Sequence, residues 1–237
     1  MSDEAPAGPF VAPVGDDHLL VDLREPVSVT AARRARLLAA AIRARCADGD
    51  PDMTCVMEAA EPVAAASSVL VPLTAGGPGA VTTAIERLEA VLLTLARELP
   101  ADPPPSPGAR EHVLAVRYGG DAGPDLADVA EAAGLDAADV ISLHAGTPYE
   151  VLFMGFAPGF GYLGELPERL RLPRLATPRV LVPAGSVAIA GAMTGVYPAD
   201  SPGGWRLLGT TDARLLDRTV PEPALLRAGD LVRFRPA

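Results

Sequence analysis

One histidine stands where acid–base chemistry could be carried. His144 ends a predicted helix that begins at Asp136, and Gly146 and a predicted strand follow it. Histidine is the side chain whose unperturbed pKa lies nearest neutrality, so His144 is the candidate catalytic acid–base. The alternative is a histidine at a helix end that bonds a loop carbonyl and is stabilised by the helix dipole.

Four arginines within eleven residues form the second candidate feature. The planar fork of arginine matches a carboxylate or phosphate, and one such group would suffice for a small anionic substrate. Arg179 is the candidate for that contact. The alternative is surface charge balanced by Glu165 and Glu168. The four are Arg169, Arg171, Arg174 and Arg179.

Ser186 follows Pro183, Ala184 and Gly185 at the start of a predicted strand. The chain has no GxSxG nucleophile elbow, so a nucleophilic role is the weakest interpretation. A serine in this position caps the turn, or offers its hydroxyl and backbone N–H to a ligand.

Half of the ten aromatic residues lie within residues 156–205, in a stretch, residues 149–205, that is interrupted throughout by glycine and proline. Loops fixed in this way are typical of binding sites. The concentration predicts a lined pocket or a protein interface, with core packing as the alternative. The five aromatic residues are Phe156, Phe160, Tyr162, Tyr197 and Trp205.

Composition excludes several chemistries. The formal net charge of −10 argues against a nucleic-acid partner, and the 237 residues include no lysine. This excludes a Schiff-base lysine, a Walker-type phosphate loop and a covalently attached biotin. Two cysteines and three scattered histidines match no metal motif. No apolar run is long enough for a membrane span and the first residues lack a signal-peptide pattern, so we expect a cytoplasmic protein.

The order of elements predicts two domains. Strands over residues 18–23, 53–59 and 68–73 and helices over 31–46 and from 78 give a β-α-β-β-α order, preceded by a loose lead-in at 1–13. This favours a small α+β, ferredoxin-like domain over residues 1–99. Residues 100–109 contain five prolines and predict a stiff linker. Residues 110–237 carry short strands and fixed turns, with a helix that begins at Asp125 and runs through Ala133 and another from Asp136 to about His144.

The turn-rich stretch carries a resemblance to a known family. The segments GFAPGFGYL, PRLATPRVLVPAGSVAIAG, TGVYP and SPGGW are similar to the signature of the family formed by the B subunits of 5-oxoprolinases. That family is also called the sporulation-kinase inhibitor family or allophanate hydrolase subunit 1, and it is related to a carboxyltransferase domain of urea carboxylases. The resemblance implies a mainly-β, cyclophilin-like barrel over residues 110–237.

The resemblance also implies a function. The expected protein is a hydrolase component of an ATP-dependent 5-oxoprolinase, in which ATP activates the lactam oxygen and water opens the ring to glutamate. Proteins like the C and A subunits of 5-oxoprolinase are the expected partners, with ATP bound at the level of the complex. The implied substrate-binding residues are Phe160, Arg179, Pro183, Ala184, Gly185, Ser186, Met193 and Thr194; Phe156, Tyr162, Tyr197 and Trp205 are the expected interface.

Two departures and two other functions belong to the same resemblance. Met193 stands where the family usually has Gln, and Thr210 where it usually has a basic residue, so the substrate or the strength of the site could differ. One alternative function is a regulator that binds and inhibits a sensor histidine kinase. The other is an amide-processing component of the allophanate hydrolase or urea carboxylase type.

Overall fold

The computed structural model describes residues 8–54, 56, 61–74 and 81–237, with the backbone alone for 81–84. Two compact units divide the chain between residues 104 and 105. Among the described residues, each buried apolar cluster draws its members from one unit only.

The first unit is a four-stranded antiparallel sheet covered by two helices. The sheet order is β1-β2-β4-β3. Leu19 and Val21 face the same side as Val69 and Val71, and all four are at most 1 % exposed. Helices α1 and α2 pack on this side in one cluster. The elements are β1 (Phe10–Val14), β2 (His18–Asp22), α1 (Val29–Ala47), β3 (Val63–Ala64), β4 (Ser68–Pro72) and α2 (Val81–Glu98).

Several predictions for this unit are corrected. Residues 10–13 are not a loose lead-in, because β1 pairs with β2 along its whole length. The predicted strand at 53–59 is wrong at Met53, which lies in a 3₁₀ turn; residues 55 and 57–59 lie outside the described residues, as does the helix start predicted at Pro78. Ser28 caps α1, so this helix begins two residues before the predicted start at residue 31.

The α+β character of this unit is observed, but the ferredoxin-like arrangement is not confirmed. The predicted order β-α-β-β-α lacks the edge strand β1, which comes first in the chain and pairs with β2. Its polar and apolar residues do not alternate clearly in FVAPV, so the sequence offers little strand signal there.

The second unit is built on a closed seven-stranded barrel, as the family resemblance implies. The strand order is β10-β7-β6-β13-β5-β12-β9, and closure leaves no sheet edge unpaired. The last strand, β13, runs parallel to β5 and antiparallel to β6. The strands are β5 (Glu111–Tyr118), β6 (Tyr149–Met154), β7 (Gly161–Gly164), β9 (Ser186–Ala190), β10 (Met193–Val196), β12 (Arg206–Thr210) and β13 (Leu231–Pro236).

Two helices and a small sheet complete this unit. Helix α3 (Leu126–Ala133) ends at the left-handed Gly134, and α4 (Ala137–Gly146) is capped by Asp136, both as predicted. Strands β8 (Arg179–Val182) and β11 (Ser201–Gly203) pair only with each other, outside the barrel. This two-stranded β8–β11 sheet carries part of the candidate site. Among the described residues, no helix has the length and apolar character needed to cross a membrane.

Limited digestion with proteinase K should cleave within residues 100–109 and leave a folded fragment of residues 110–237. The reason is that the proline-rich segment lies between α2 and β5, while the barrel closes on its own strands. Mass spectrometry would locate the cut, and circular dichroism would follow the melting of the purified fragment. A fragment without a cooperative thermal transition would mean that the barrel depends on the first unit.

Candidate functional site

The five aromatic residues singled out in the sequence lie together at the barrel. Phe160 is central: its ring makes edge contacts with those of Phe156 at 5.4 Å, Tyr162 at 4.9 Å, Tyr197 at 5.5 Å and Trp205 at 5.6 Å between centroids. Phe160, Tyr197 and Trp205 are buried, whereas Phe156 is 59 % exposed. Edge-to-face geometry is the favoured packing of aromatic rings. The cluster therefore joins a packed interior to an exposed rim.

A cavity of about 110 Å³ opens within this aromatic cluster. Its wall consists of the five aromatic residues together with Arg174, Gly203 and Gly204. We call it the aromatic pocket. Since sites for drug-sized ligands measure roughly 300–1,000 Å³, this pocket suits a much smaller molecule. Aromatic walls with a single cation are appropriate for a small ring that carries one negative charge.

Arg174 is the cation of the aromatic pocket. Among the described residues it has neither a hydrogen-bond acceptor nor an ion-pair partner, whereas the other three arginines of the group are engaged. Arg169 donates to the carbonyls of Ala133 and Gly134, Arg171 to Leu166 O and Glu165, and Arg179 to Asp125. An exposed guanidinium without an acceptor, at the wall of an aromatic cavity, is a candidate anion ligand.

Arg179 lies beside this site but outside the pocket wall. Its Nη2 donates to Asp125 Oδ1 at 2.6 Å, and the second oxygen of Asp125 accepts the backbone N–H of Leu207 at 2.7 Å. Asp125 is 5 % exposed. Arg179 Nη1 is buried and has no acceptor among the described residues. The carboxylate thus joins the first residue of strand β8 to barrel strand β12.

Tyr197 reports the electrostatics of this region. Burial raises the pKa of its phenol, because the phenolate would lose hydration, while the positive charges of Arg174 and Arg179 act in the opposite direction. Gly203 lies so close to the same side chain that a Cβ at Gly203 would stand 2.3 Å from Tyr197 Oη. Only glycine fits there, and this explains the first glycine of the segment SPGGW.

The polar groups of the turn at residues 183–186 have hydrogen-bond partners within the protein. Ser186 Oγ donates to Pro183 O at 2.7 Å, Ala184 N donates to Asp200 at 2.8 Å, and Gly185 N donates to Tyr197 O at 2.8 Å. Ser186 is 3 % exposed. These four residues support Tyr197 from behind and do not line the aromatic pocket. Ligand contact by any of them stays a prediction.

Met193 and Thr194 also lie behind the pocket. Met193 packs on the cluster that contains Phe160 and Trp205. Thr194 is fully buried, and its hydroxyl donates to Ala188 O at 2.9 Å. Substrate contact by these two residues stays a prediction. Met193 therefore packs against a cluster of aromatic rings, an environment that suits its apolar thioether.

His144 lies at the centre of the barrel, completely buried. Its Nδ1 is 2.7 Å from Tyr118 Oη, its Nε2 is 2.9 Å from Thr194 Oγ1, and Phe234 stacks on the ring at 4.6 Å. Since Thr194 donates its one proton to Ala188 O, Nε2 must donate to Thr194 and Nδ1 must accept from Tyr118. This network defines one neutral tautomer.

Burial lowers the pKa of His144 to about 3, because the imidazolium would have no hydration in the core. His144 is neutral, hydrogen-bonded through both ring nitrogens and absent from the wall of the aromatic pocket, which supports a structural role. Its partners are two side-chain hydroxyls and not the loop carbonyl of the alternative given above. Its predicted acid–base role has no support from this geometry and stays a prediction.

The loop at residues 155–159 was found in the sequence, but its strain was not. Phe156 has φ +67°, and the N–H of Ala157 donates to Gly155 O at 2.8 Å, which makes Phe156 the centre of a γ-turn with positive φ. This turn is rare and strained. Backbone strain held by its surroundings is common at ligand clamps.

A second cavity, of about 640 Å³, lies on the other side of this loop. We call it the apolar groove. Sequence reasoning missed it, because its walls come from residues 154–159 and from residues 216–228, which are distant in the chain. Leu216, Pro223 and Leu226 supply much of the second wall. Phe156 lines both cavities.

Neither of these two cavities fits a nucleotide. The aromatic pocket is too small for ATP, and the one arginine of the apolar groove, Arg227, is paired with Glu222. Among the described residues, no group of three or more His, Cys, Asp or Glu could hold a metal ion.

The second unit therefore combines a closed barrel with a small aromatic cavity that has Arg174 in its wall. The model of the family "Carboxyltransferase domain, subdomain C and D" matches residues 9–226 of this sequence. The chain therefore belongs to that family.

Curated relatives share about half of the chain at high identity. The chain is 55 % identical over 130 residues to the B subunit of 5-oxoprolinase from Escherichia coli O157:H7, and 51 % identical over 121 residues to the protein of the same name from Haemophilus influenzae. A third protein of that name, from Bacillus subtilis, is 49 % identical over 121 residues. These matches cover 55, 51 and 51 % of this chain but only 60, 57 and 50 % of the relatives.

Solved structures resemble most of the chain. The protein TTHA0988 is 37 % identical, with a TM-score of 0.69 over 93 % of this chain and 40 % of its own. The conserved uncharacterized protein PH0987 from Pyrococcus horikoshii is 35 % identical, with a TM-score of 0.53 over 96 % of this chain and 97 % of its own. Kluyveromyces lactis urea carboxylase is 20 % identical with a TM-score of 0.71, over 97 % of this chain and 22 % of its own, which shows a shared fold alone.

The stability of the protein should fall as the pH is lowered from about 6.5 toward 3. The folded-state pKa of His144 lies below the unfolded value of about 6.5, so the unfolded chain binds the extra proton in this window. The loss should approach ~1.4 kcal/mol per pH unit from this group. His144→Gln keeps an amide donor and acceptor but cannot titrate.

Urea unfolding at pH 7, 5.5 and 4.5 would measure both proteins. The variant should start from a lower stability at pH 7 and lose less of it on acidification. Equal pH slopes in the two proteins would contradict the buried, neutral state of His144.

Proposed function

We propose that this chain is the B-type component of an ATP-dependent 5-oxoprolinase. With partner subunits it would open 5-oxoproline, a five-membered lactam with one carboxylate, to glutamate. The observation that carries this proposal is the aromatic pocket: a cavity of about 110 Å³ with aromatic walls and the unpaired Arg174. Its size and single cation suit a compact cyclic acid. The names of the curated relatives point to the same substrate.

The pocket residues have separate proposed roles. Arg174 would bind the carboxylate of the substrate through charge-assisted hydrogen bonds. Phe160 and Trp205 would hold the apolar edge of the lactam ring and exclude water. Arg179 would act mainly through Asp125, because this ion pair holds the β8–β11 sheet and therefore Gly203 at the pocket wall. Its Nη1, which has no acceptor among the described residues, is a further donor. His144 would keep the barrel in register behind these residues.

ATP belongs to the proposed complex and not to this chain alone. Neither cavity offers a triphosphate site, and the sequence has no lysine and no phosphate loop. We therefore assign ATP to a partner that is like the A or the C subunit of 5-oxoprolinase.

The finer structural and cellular assignments are part of the same proposal. The barrel is proposed to be cyclophilin-like, and the first unit to be a permuted ferredoxin-like layer in which β1 takes the edge that a last strand would occupy. The units are proposed to fold as domains over residues 1–99 and 110–237. The complex is proposed to act in the cytoplasm.

A second candidate function rests on the apolar groove. This surface of about 640 Å³, with the exposed Phe156 at its edge, could receive a segment of another protein and needs no catalytic residue. A regulator that binds a sensor histidine kinase would use such a surface. The aromatic pocket with its unpaired cation favours the first function, because a protein-binding groove alone does not require Arg174.

Co-expression with a C-type partner should give one complex on a sizing column. A stable contact of this kind typically buries on the order of 1,200–2,000 Å². ATP hydrolysis that depends on 5-oxoproline should appear only after an A-type partner is added. Hydrolysis of ATP by the purified chain alone would contradict this proposal, and a complex that forms only with a kinase would favour the regulator.

Arg174→Ala and Arg179→Ala should separate binding from folding. Loss of the charge-assisted bond of Arg174 should cost about 1.5–3 kcal/mol, or roughly 10- to 150-fold in the KM for 5-oxoproline in the assembled enzyme, with little effect on unfolding. Arg179→Ala should instead lower the free energy of unfolding by about 1–3 kcal/mol, because Asp125 is left buried without its cation.

Steady-state kinetics of the complex and urea unfolding of the isolated chain would test this pair. Arg174→Lys is the matched control, since it keeps the charge but not the fork and should fall between wild type and Arg174→Ala. An unchanged KM in Arg174→Ala would remove Arg174 from the substrate site. A large rise of KM in Arg179→Ala with normal stability would restore Arg179 as the direct carboxylate ligand.

A further inference from the structure

The two cavities of the barrel unit share one wall. The ring of Phe156 lines both the aromatic pocket and the apolar groove. On the pocket side it meets Phe160 at 5.4 Å and Tyr197 at 6.1 Å between centroids. The side chain is 59 % exposed, so it forms a rim and not a part of the core.

The position of this ring is set by an unfavourable backbone. Within residues 105–237, all of which the structure describes, Phe156 is the one residue other than glycine with a positive φ. The turn is held by Ala157 N donating to Gly155 O at 2.8 Å, and the loop is closed by Gly155 N donating to Phe160 O at 3.2 Å. A glycine would relieve the strain but would leave no ring between the cavities.

The space beyond the ring is apolar and several times larger than the pocket. The groove of about 640 Å³ begins where the pocket of about 110 Å³ ends, at Phe156, and continues along Met154, Leu216 and Leu226. Without the ring, the two spaces would be continuous. A substituent on a bound ring could then extend from the pocket into the groove.

We infer that Phe156 determines the size selectivity of the aromatic pocket. It admits an unsubstituted five-membered cyclic acid and excludes the same acid with an apolar substituent. This inference rests on the proposed function, since it concerns the ligand of the same pocket. Phe160 is not an equivalent candidate, because it is 2 % exposed and packs against three other rings whose positions depend on it.

The test measures binding to the full-length chain through Trp205, the only tryptophan in the sequence, which lies in the pocket wall. The ligands are 5-oxoproline and its N-benzyl and 4-benzyl derivatives, which place the apolar group on two different ring positions. Wild type should bind 5-oxoproline at least 10-fold more tightly than either derivative. Phe156→Ala and Phe156→Gly should each bind at least one derivative 10-fold or more tightly than wild type does, with a change of less than about fivefold for 5-oxoproline.

The paired variants separate the ring from the strain. Both remove the wall, but only Phe156→Gly also relaxes the positive φ; equal selectivity in the two assigns the effect to the ring. Phe156→Leu keeps a partial wall and should show an intermediate preference. Val180→Ala is the matched control, because Val180 is an apolar residue that is 91 % exposed and lines neither cavity. Its selectivity should equal that of wild type.

Two negative results are distinguishable. If wild type binds 5-oxoproline but folded Phe156 variants still reject both derivatives, the size-selectivity role is wrong and the proposed function stands. If the fluorescence of wild type and of the assembled complex does not respond to 5-oxoproline, the proposed function fails and this inference fails with it.

Discussion

The buried carboxylate of Asp125 is the contact on which the candidate site depends. One oxygen accepts from Arg179 at the start of β8, and the other accepts from the backbone of Leu207 in barrel strand β12. The two-stranded β8–β11 sheet has no strand pairing with the barrel, so this carboxylate adds a hydrogen-bonded link between the two. A buried charge without its partner is strongly unfavourable, which favours this one position of the β8–β11 sheet. Gly203 and Gly204 reach the pocket wall from that position.

Closure of the barrel allows the site to lie outside it. Seven strands pair in a ring, so their backbone donors and acceptors are satisfied without the β8–β11 sheet or the turn-rich loops. The interior is filled by side chains, with His144 bonded to Tyr118 and Thr194 at its centre. Because this interior is packed, the candidate ligand space lies at the rim, where the aromatic residues and Arg174 meet.

The rim combines two surfaces with different chemistry. The aromatic pocket has a cation and little volume, whereas the apolar groove has volume and only a paired arginine. Phe156 separates them through a strained backbone. One surface is suited to a small ligand and the other to a larger apolar group. Because the two cavities share Phe156 as a wall, this residue is proposed to set the size of the ligand that the aromatic pocket accepts.

The sequence by itself determined the short strands and turns of the second unit, α3 and α4, and the concentration of five aromatic residues, because strand, cap and turn signals act over a few residues. The barrel was implied only by the family resemblance. The sequence did not find β1, whose segment FVAPV lacks alternation, and it favoured Arg179 among the four arginines. Only the tertiary structure decided that Arg179 pairs with Asp125, 54 positions away, and that Arg174 is left without an acceptor among the described residues. It also decided that His144 is buried. Burial and pairing depend on which distant residues meet, and no local pattern records that.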